Sequence, residues 1–110
     1  MYTICSECTS DASGAYTKEC KAQRDACLAN ADCAALAKCS YDNCSLNTDG
    51  GCCSRTCAKD LNTPMAAWDL FYALDTCVFC MTCKDLCEPD LDPGDYCKVI
   101  APGGESMCPP

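Results

Sequence analysis

Apolar and polar positions along this chain group into helical segments separated by turn residues. Residues 15–29 are rich in Ala, Lys, Glu, Gln and Arg and lack Gly and Pro, which predicts a helix. Cys20 and Cys27 lie seven apart in it, two turns along one face. Asn30, Ala31 and Asp32 offer a turn and an N-cap. Residues 33–44, with Ala34, Ala35, Leu36 and Ala37, predict a second helix. The short connection favours an antiparallel hairpin in which Cys27 meets Cys33 and Cys20 meets Cys39. Turn chemistry makes residues 46–51 a loop, and a short helix is expected over 53–60. The adjacent Cys52 and Cys53 are expected to bond to different partners. Residues 1–14 read as an extended lead-in.

The clearest start signal is Thr63 as N-cap with Pro64 at the first helical position. Residues 65–87 then predict one long helix, with Met65, Trp68, Phe71, Tyr72, Leu74, Val78, Phe79 and Met81 supplying most of the large apolar volume. Its polar interruptions are Asp69, Asp75, Thr76 and Thr82. Two aspartates in a stretch barely of spanning length favour a central core helix over a membrane span. Residues 88–110 hold five of the six prolines and three of the six glycines, so an irregular acidic tail is expected. Cys97 and Cys108 would staple it, to each other or to the body. The reading is a small all-α, disulfide-rich domain over 1–87, built of a helical hairpin and one long central helix, with the tail over 88–110.

Composition sharpens this picture. The chain has 110 residues, 16 cysteines, no histidine and a net charge of −8. The cysteine content is far above that of an ordinary globular domain and marks a disulfide scaffold. Its even number fits complete pairing of Cys5, Cys8, Cys20, Cys27, Cys33, Cys39, Cys44, Cys52, Cys53, Cys57, Cys77, Cys80, Cys83, Cys87, Cys97 and Cys108. Such pairing belongs outside a reducing cytosol. The first residues carry no basic region followed by an apolar run, so the reading is an exported chain whose signal has been removed. Without histidine there is no Ser-His-Asp or Cys-His catalysis, no Cys₂His₂ finger and no C-x-x-C-H haem attachment. A pI near 4.2 argues against nucleic-acid binding.

The sharpest motif is the C-x₂-C-x₂-C-x₃-C run of Cys77, Cys80, Cys83 and Cys87. It resembles a ferredoxin cluster run, except that Glu88 separates the last cysteine from Pro89. As an alternative function these four thiolates would hold an iron–sulfur cluster or join a Cu(I) store. A Cys₄ zinc site from Cys5, Cys8, Cys80 and Cys83 is a further arrangement of the same kind. Thiol–disulfide exchange at the C-x-x-C pairs is disfavoured at Cys77 and Cys80, because reactive pairs sit at helix N-termini and these fall mid-helix. Residues 90–95 look faintly like a calcium loop but lack EF-hand spacing, and read as a solvated acidic loop. Asn43, Cys44 and Ser45 form a formal glycosylation sequon.

Residues 5–87 resemble the small cysteine-rich exported proteins and lipoproteins of the myxobacterial type. The resemblance rests on the C-L-A-x₃-C-x₂-L-x₂-C segment of Cys27, Leu28, Ala29, Cys33, Leu36 and Cys39. It continues in the C-x₃-C of Cys53 and Cys57, and in Leu74, Cys77, Cys83 and Cys87. The additional Cys80, the Cys52-Cys53 pair, Cys97 and Cys108 depart from it. The resemblance implies export and a helical disulfide-bonded domain, with no established activity. The expected role is therefore structural or binding, without enzymatic activity or cofactor, toward a protein or cell-surface component. The expected address is secreted, periplasmic or cell-surface. Exposed parts of Trp68, Phe71, Tyr72, Phe79 and Met81 would form the contact surface.

Overall fold

A computed structural model describes residues 2–10, 12–44, 51–87 and 93–108. In chain order the elements are α1 (Cys5–Cys8), a 3₁₀ turn (Ala15–Thr17), α2 (Lys21–Leu28), α3 (Ala31–Asn43), α4 (Cys52–Asp60), α5 (Met65–Asp75), a π-helical stretch (Thr76–Thr82), α6 (Lys84–Cys87), α7 (Pro93–Ile100) and a 3₁₀ turn (Gly104–Met107). No strand occurs among the described residues. The fold is thus a small all-α domain rich in disulfides.

The hairpin forms as its turn chemistry dictates. The Asn30 side chain accepts from the Cys33 N–H at 2.9 Å and caps α3. The Cys27–Cys33 disulfide closes the turn between α2 and α3. The second expected bond, Cys20–Cys39, does not form. Helix α2 starts only at Lys21, so Cys20 stands at its cap and bonds Cys77, while Cys39 faces α4 and bonds Cys57. The segment before α2 is diverted by tertiary contacts that override helix propensity. Gly14 lies so close to α1 that a Cβ there would sit 2.3 Å from the Cys8 carbonyl oxygen. Tyr16 is buried, edge-on to Tyr41 at 5.5 Å. The lead-in is accordingly not extended throughout but contains α1, and the first 3₁₀ turn takes the opening residues of the expected helix.

The long helix expected over 65–87 is three elements. Pro64, rather than Thr63, takes the cap position of α5, with ψ 154°, and Thr63 Oγ1 is buried without a partner. After Asp75 the backbone widens, and the Cys83 N–H donates to the Val78 carbonyl at 2.8 Å, an i→i−5 bond. Cys83 then leaves helical geometry at φ −104°, ψ 3°. The cause is cross-linking from several directions: Cys77 bonds Cys20, Cys80 bonds Cys97 and Cys83 bonds Cys8.

The described part of the tail, residues 93–108, is not irregular either. Proline and glycine punctuate a helix there instead of preventing one. Pro93 is the first residue of α7, where its missing N–H costs nothing, and Gly103 adopts φ +83° beyond its end. Tyr96, Val99 and Ile100 are the buried face of α7. Three carbonyls at its end are engaged by side chains of the body. Arg55 donates from Nε to Val99 O at 3.0 Å and from Nη2 to Ala101 O at 2.7 Å, and Trp68 Nε1 donates to Ile100 O at 3.1 Å. The Arg55 guanidinium also stacks 4.1 Å from the Trp68 ring centre. A cation at a helix C-terminus is favoured by the helix dipole as well as by its hydrogen bonds. The loop at 46–51 lies outside the described residues apart from Gly51; of the acidic loop expected over 90–95, residues 90–92 lie outside them and residues 93–95 open α7 instead.

Cys5, Cys8 and Cys20 pair in reverse order with Cys87, Cys83 and Cys77, which makes an antiparallel ladder. In isolation the Cys5–Cys87 bond would close a loop worth about 4.5 kcal/mol of unfolded-chain entropy. With Cys8–Cys83 in place the loop it closes is only residues 5–8 and 83–87, about nine residues, worth about 2.5 kcal/mol. The double variant C5S/C87S is expected to lose the smaller amount in urea denaturation with the other bonds intact. A loss of about 4.5 kcal/mol would show that the rungs act independently.

Candidate functional site

All sixteen cysteines are bonded: to the six pairs above are added Cys44–Cys53 and Cys52–Cys108. The adjacent Cys52 and Cys53 therefore do take different partners, and Cys97 and Cys108 both staple the tail to the body. Helices α3 and α4 are joined antiparallel by Cys39–Cys57 and Cys44–Cys53. This arrangement leaves none of the four sulfurs of the metal alternative free. Cys77, Cys80, Cys83 and Cys87 do not converge, because each is committed to a different distant sulfur. The same holds for the zinc set, since Cys5 and Cys8 bond Cys87 and Cys83. Among the described residues no three potential metal ligands stand together.

The aromatic contact residues separate into two groups. Phe71 is fully buried and Trp68 is 5% exposed, so both are core and leave a partner almost no surface. Tyr72 and Phe79 are half-buried. Among the described residues Met81 and Met65 are the large apolar side chains most open to solvent, each 72% exposed.

The interior holds one feature that the sequence reading missed. Asp75, at the end of α5, is completely buried. Tyr41 of α3 donates to its Oδ1 at 3.2 Å, and Tyr96 of α7 donates a short hydrogen bond to Oδ2. Beside it the Ser40 and Ser54 hydroxyls bond each other at 2.7 Å, joining α3 to α4. A cavity of about 50 Å³ lies among Ser40, Tyr41, Ser54, Asp75, Phe79 and Tyr96. Phe79 closes it edge-on to Tyr96, with ring centres 5.5 Å apart. One carboxylate thus draws α3 and α7 onto α5. The signal was available: Trp68, Phe71 and Asp75 follow the i, i+3, i+7 spacing of a single buried stripe. Asp69 lies off that stripe and is exposed.

A second feature is a surface cleft of about 460 Å³ along α4, walled by Cys52, Arg55, Lys59, Asp60, Glu105 and Cys108. Arg55 meets Glu105 across it at 3.3 Å. No family model, curated protein or solved structure matches this chain. Among the described residues the distinctive chemistry lies in the sulfur bonds and the buried carboxyl.

Burial pushes the Asp75 carboxyl up to about 7, and the hydrogen bonds from Tyr96 and Tyr41 restrain that rise. Burial, reinforced by the Asp75 charge, raises both tyrosine hydroxyls well above their ordinary value, so they remain donors. Unfolded, Asp75 titrates near 3.9. Between that value and about 7 the folded chain holds the extra proton, so stability falls as pH rises through this window and levels off above it. The expected loss is up to about 4 kcal/mol. The chain has no histidine to obscure the effect. Urea midpoints measured from pH 5 to 8 should decline for the wild type and stay flat for Asp75→Asn. Parallel profiles for the two proteins would contradict this assignment.

Proposed function

We propose that this chain is an exported, disulfide-stabilised structural or binding domain without catalytic activity. The observation that carries the reading is the complete pairing of its sixteen cysteines into eight intrachain bonds. Eight disulfides belong to an oxidising environment, since cytosolic reductants keep thiols open. The resemblance of residues 5–87 to small exported cysteine-rich proteins supports the same reading. The chain's net charge of −8 favours a contact with a protein or cell-surface component over nucleic acid. No helix among the described residues is long and apolar enough to cross a membrane.

With Trp68 and Phe71 in the core, the contact surface of this proposal moves outward to Met81, Met65 and the open parts of Tyr72 and Phe79. Exposed thioethers adapt to a partner's shape at little cost.

Compartment-specific expression tests the proposal. Directed to an oxidising compartment, the chain should emerge as one species that is inert to alkylation and sixteen hydrogens lighter than its reduced form. Made in a reducing cytosol, it should carry free thiols and lack fixed aromatic circular dichroism. A cytosolic product that is equally folded with its thiols open would refute the reading.

A further inference from the structure

Five of the eight disulfides have at least one buried cysteine, which narrows the approach of an incoming thiol. The other three, Cys44–Cys53, Cys52–Cys108 and Cys80–Cys97, have both halves partly exposed. They are not equivalent. Cys44 borders the cavity of about 50 Å³, far too small for a thiol-bearing molecule. Cys80 lies inside the π stretch and Cys97 inside α7, away from any helix start. Cys52 and Cys108, in contrast, both form the wall of the α4 cleft, whose volume of about 460 Å³ admits a small peptide-like ligand.

The position of Cys52 adds a direction. It is the first residue of α4, nine residues long, and Gly51 at the cap has no side chain to occupy the first amides. Negative charge developing on Cys52 Sγ is stabilised there by those amides and by the helix dipole. Arg55 and Lys59 share the cleft with Asp60 and Glu105, so their charges offset and the helix start decides which sulfur leaves.

We propose that Cys52–Cys108 is a thiol-exchange site for a low-molecular-weight thiol that docks in the α4 cleft. The incoming thiol loses its proton to solvent, and its thiolate attacks Cys108 Sγ. The Cys108–Cys52 bond breaks with its electron pair remaining on Cys52. The products are a mixed disulfide on Cys108 and a thiolate at Cys52, with no external oxidant or reductant consumed. Cys52 does not go on to capture Cys53, because neighbouring Cα atoms are about 3.8 Å apart, inside the ~4.4 Å minimum of an ordinary disulfide. The body of the fold survives the exchange. Arg55 and Trp68 hold the end of α7 through backbone carbonyls, and Cys80–Cys97 still anchors it. The modification therefore changes the surface of the cleft and leaves the core intact.

The native protein, incubated with reduced glutathione, quenched in acid, alkylated and peptide-mapped, decides the matter. The expected first product carries glutathione on Cys108 and an alkylated Cys52, with all other pairs intact, and forms roughly tenfold faster than any later opening. The double variant C52S/C108S should lose that fast phase of thiol consumption while keeping its helical circular dichroism. If this variant does not fold, the wild-type map alone decides. Opening of another pair first, glutathione on Cys52 instead of Cys108, or a fast phase that persists in the folded variant would overturn the proposal.

Discussion

Residues 5–20 are held against residues 77–87 by three disulfides that pair in reverse order, and the remaining architecture depends on that clamp. A chain of 110 residues buries a modest apolar core. Here that core is essentially Leu36, Phe71, Leu74, Val78 and Ile100, with Trp68 and Tyr96 at its margin. The ladder brings the start of the chain back to the end of the central helical run, and so encloses α2 to α5 between its two sides. Of the other five bonds, three act within or between the elements so enclosed and two reach past them. They close the α2–α3 turn, zip α3 to α4, and tie α7 and the last 3₁₀ turn to the body.

A covalent frame lets the interior carry chemistry that a small core would otherwise exclude. Asp75 faces two tyrosine hydroxyls and, among the described residues, no cation, an arrangement that costs several kcal/mol when the carboxyl is ionised. Disulfides typically contribute ~2–4 kcal/mol each, and several of them offset that cost. In return the carboxyl gives α3, α5 and α7 a common polar junction. Arg55 and Trp68 do the comparable task at the surface end of α7, taking carbonyls that helix termination leaves open.

Much of this was legible in the sequence, but unevenly. Helical composition and the cysteine content gave the fold class. Asn30 fixed the start of α3, and the Cys27–Cys33 spacing fixed the bond beneath it. Local propensity failed where distant sulfurs pull on the backbone. Residues 15–20 have helical composition but are bent by the bonds at Cys8 and Cys20 and by the close approach of Gly14 to α1. The π stretch arises from partners far along the chain, which no local window contains. The tail was misread for a different reason: Pro93 and Gly103 are the boundary marks of α7, the same kind of signal that was accepted at Pro64. Asp75 was treated as an interruption of an apolar helix, although its spacing from Trp68 and Phe71 places it on the buried stripe.

The central claim is that the sulfurs are joined to one another in this nested order. Disulfide mapping of the unreduced protein tests it most directly, and the sequence permits it: cleavage after Glu7 separates Cys5 from Cys8, and cleavage after Lys84 separates Cys83 from Cys87. The account predicts linked peptides joining Cys5 to Cys87 and Cys8 to Cys83, with no free thiol. Crossed pairs, Cys5 with Cys8, or open thiols retaining a metal ion would contradict it.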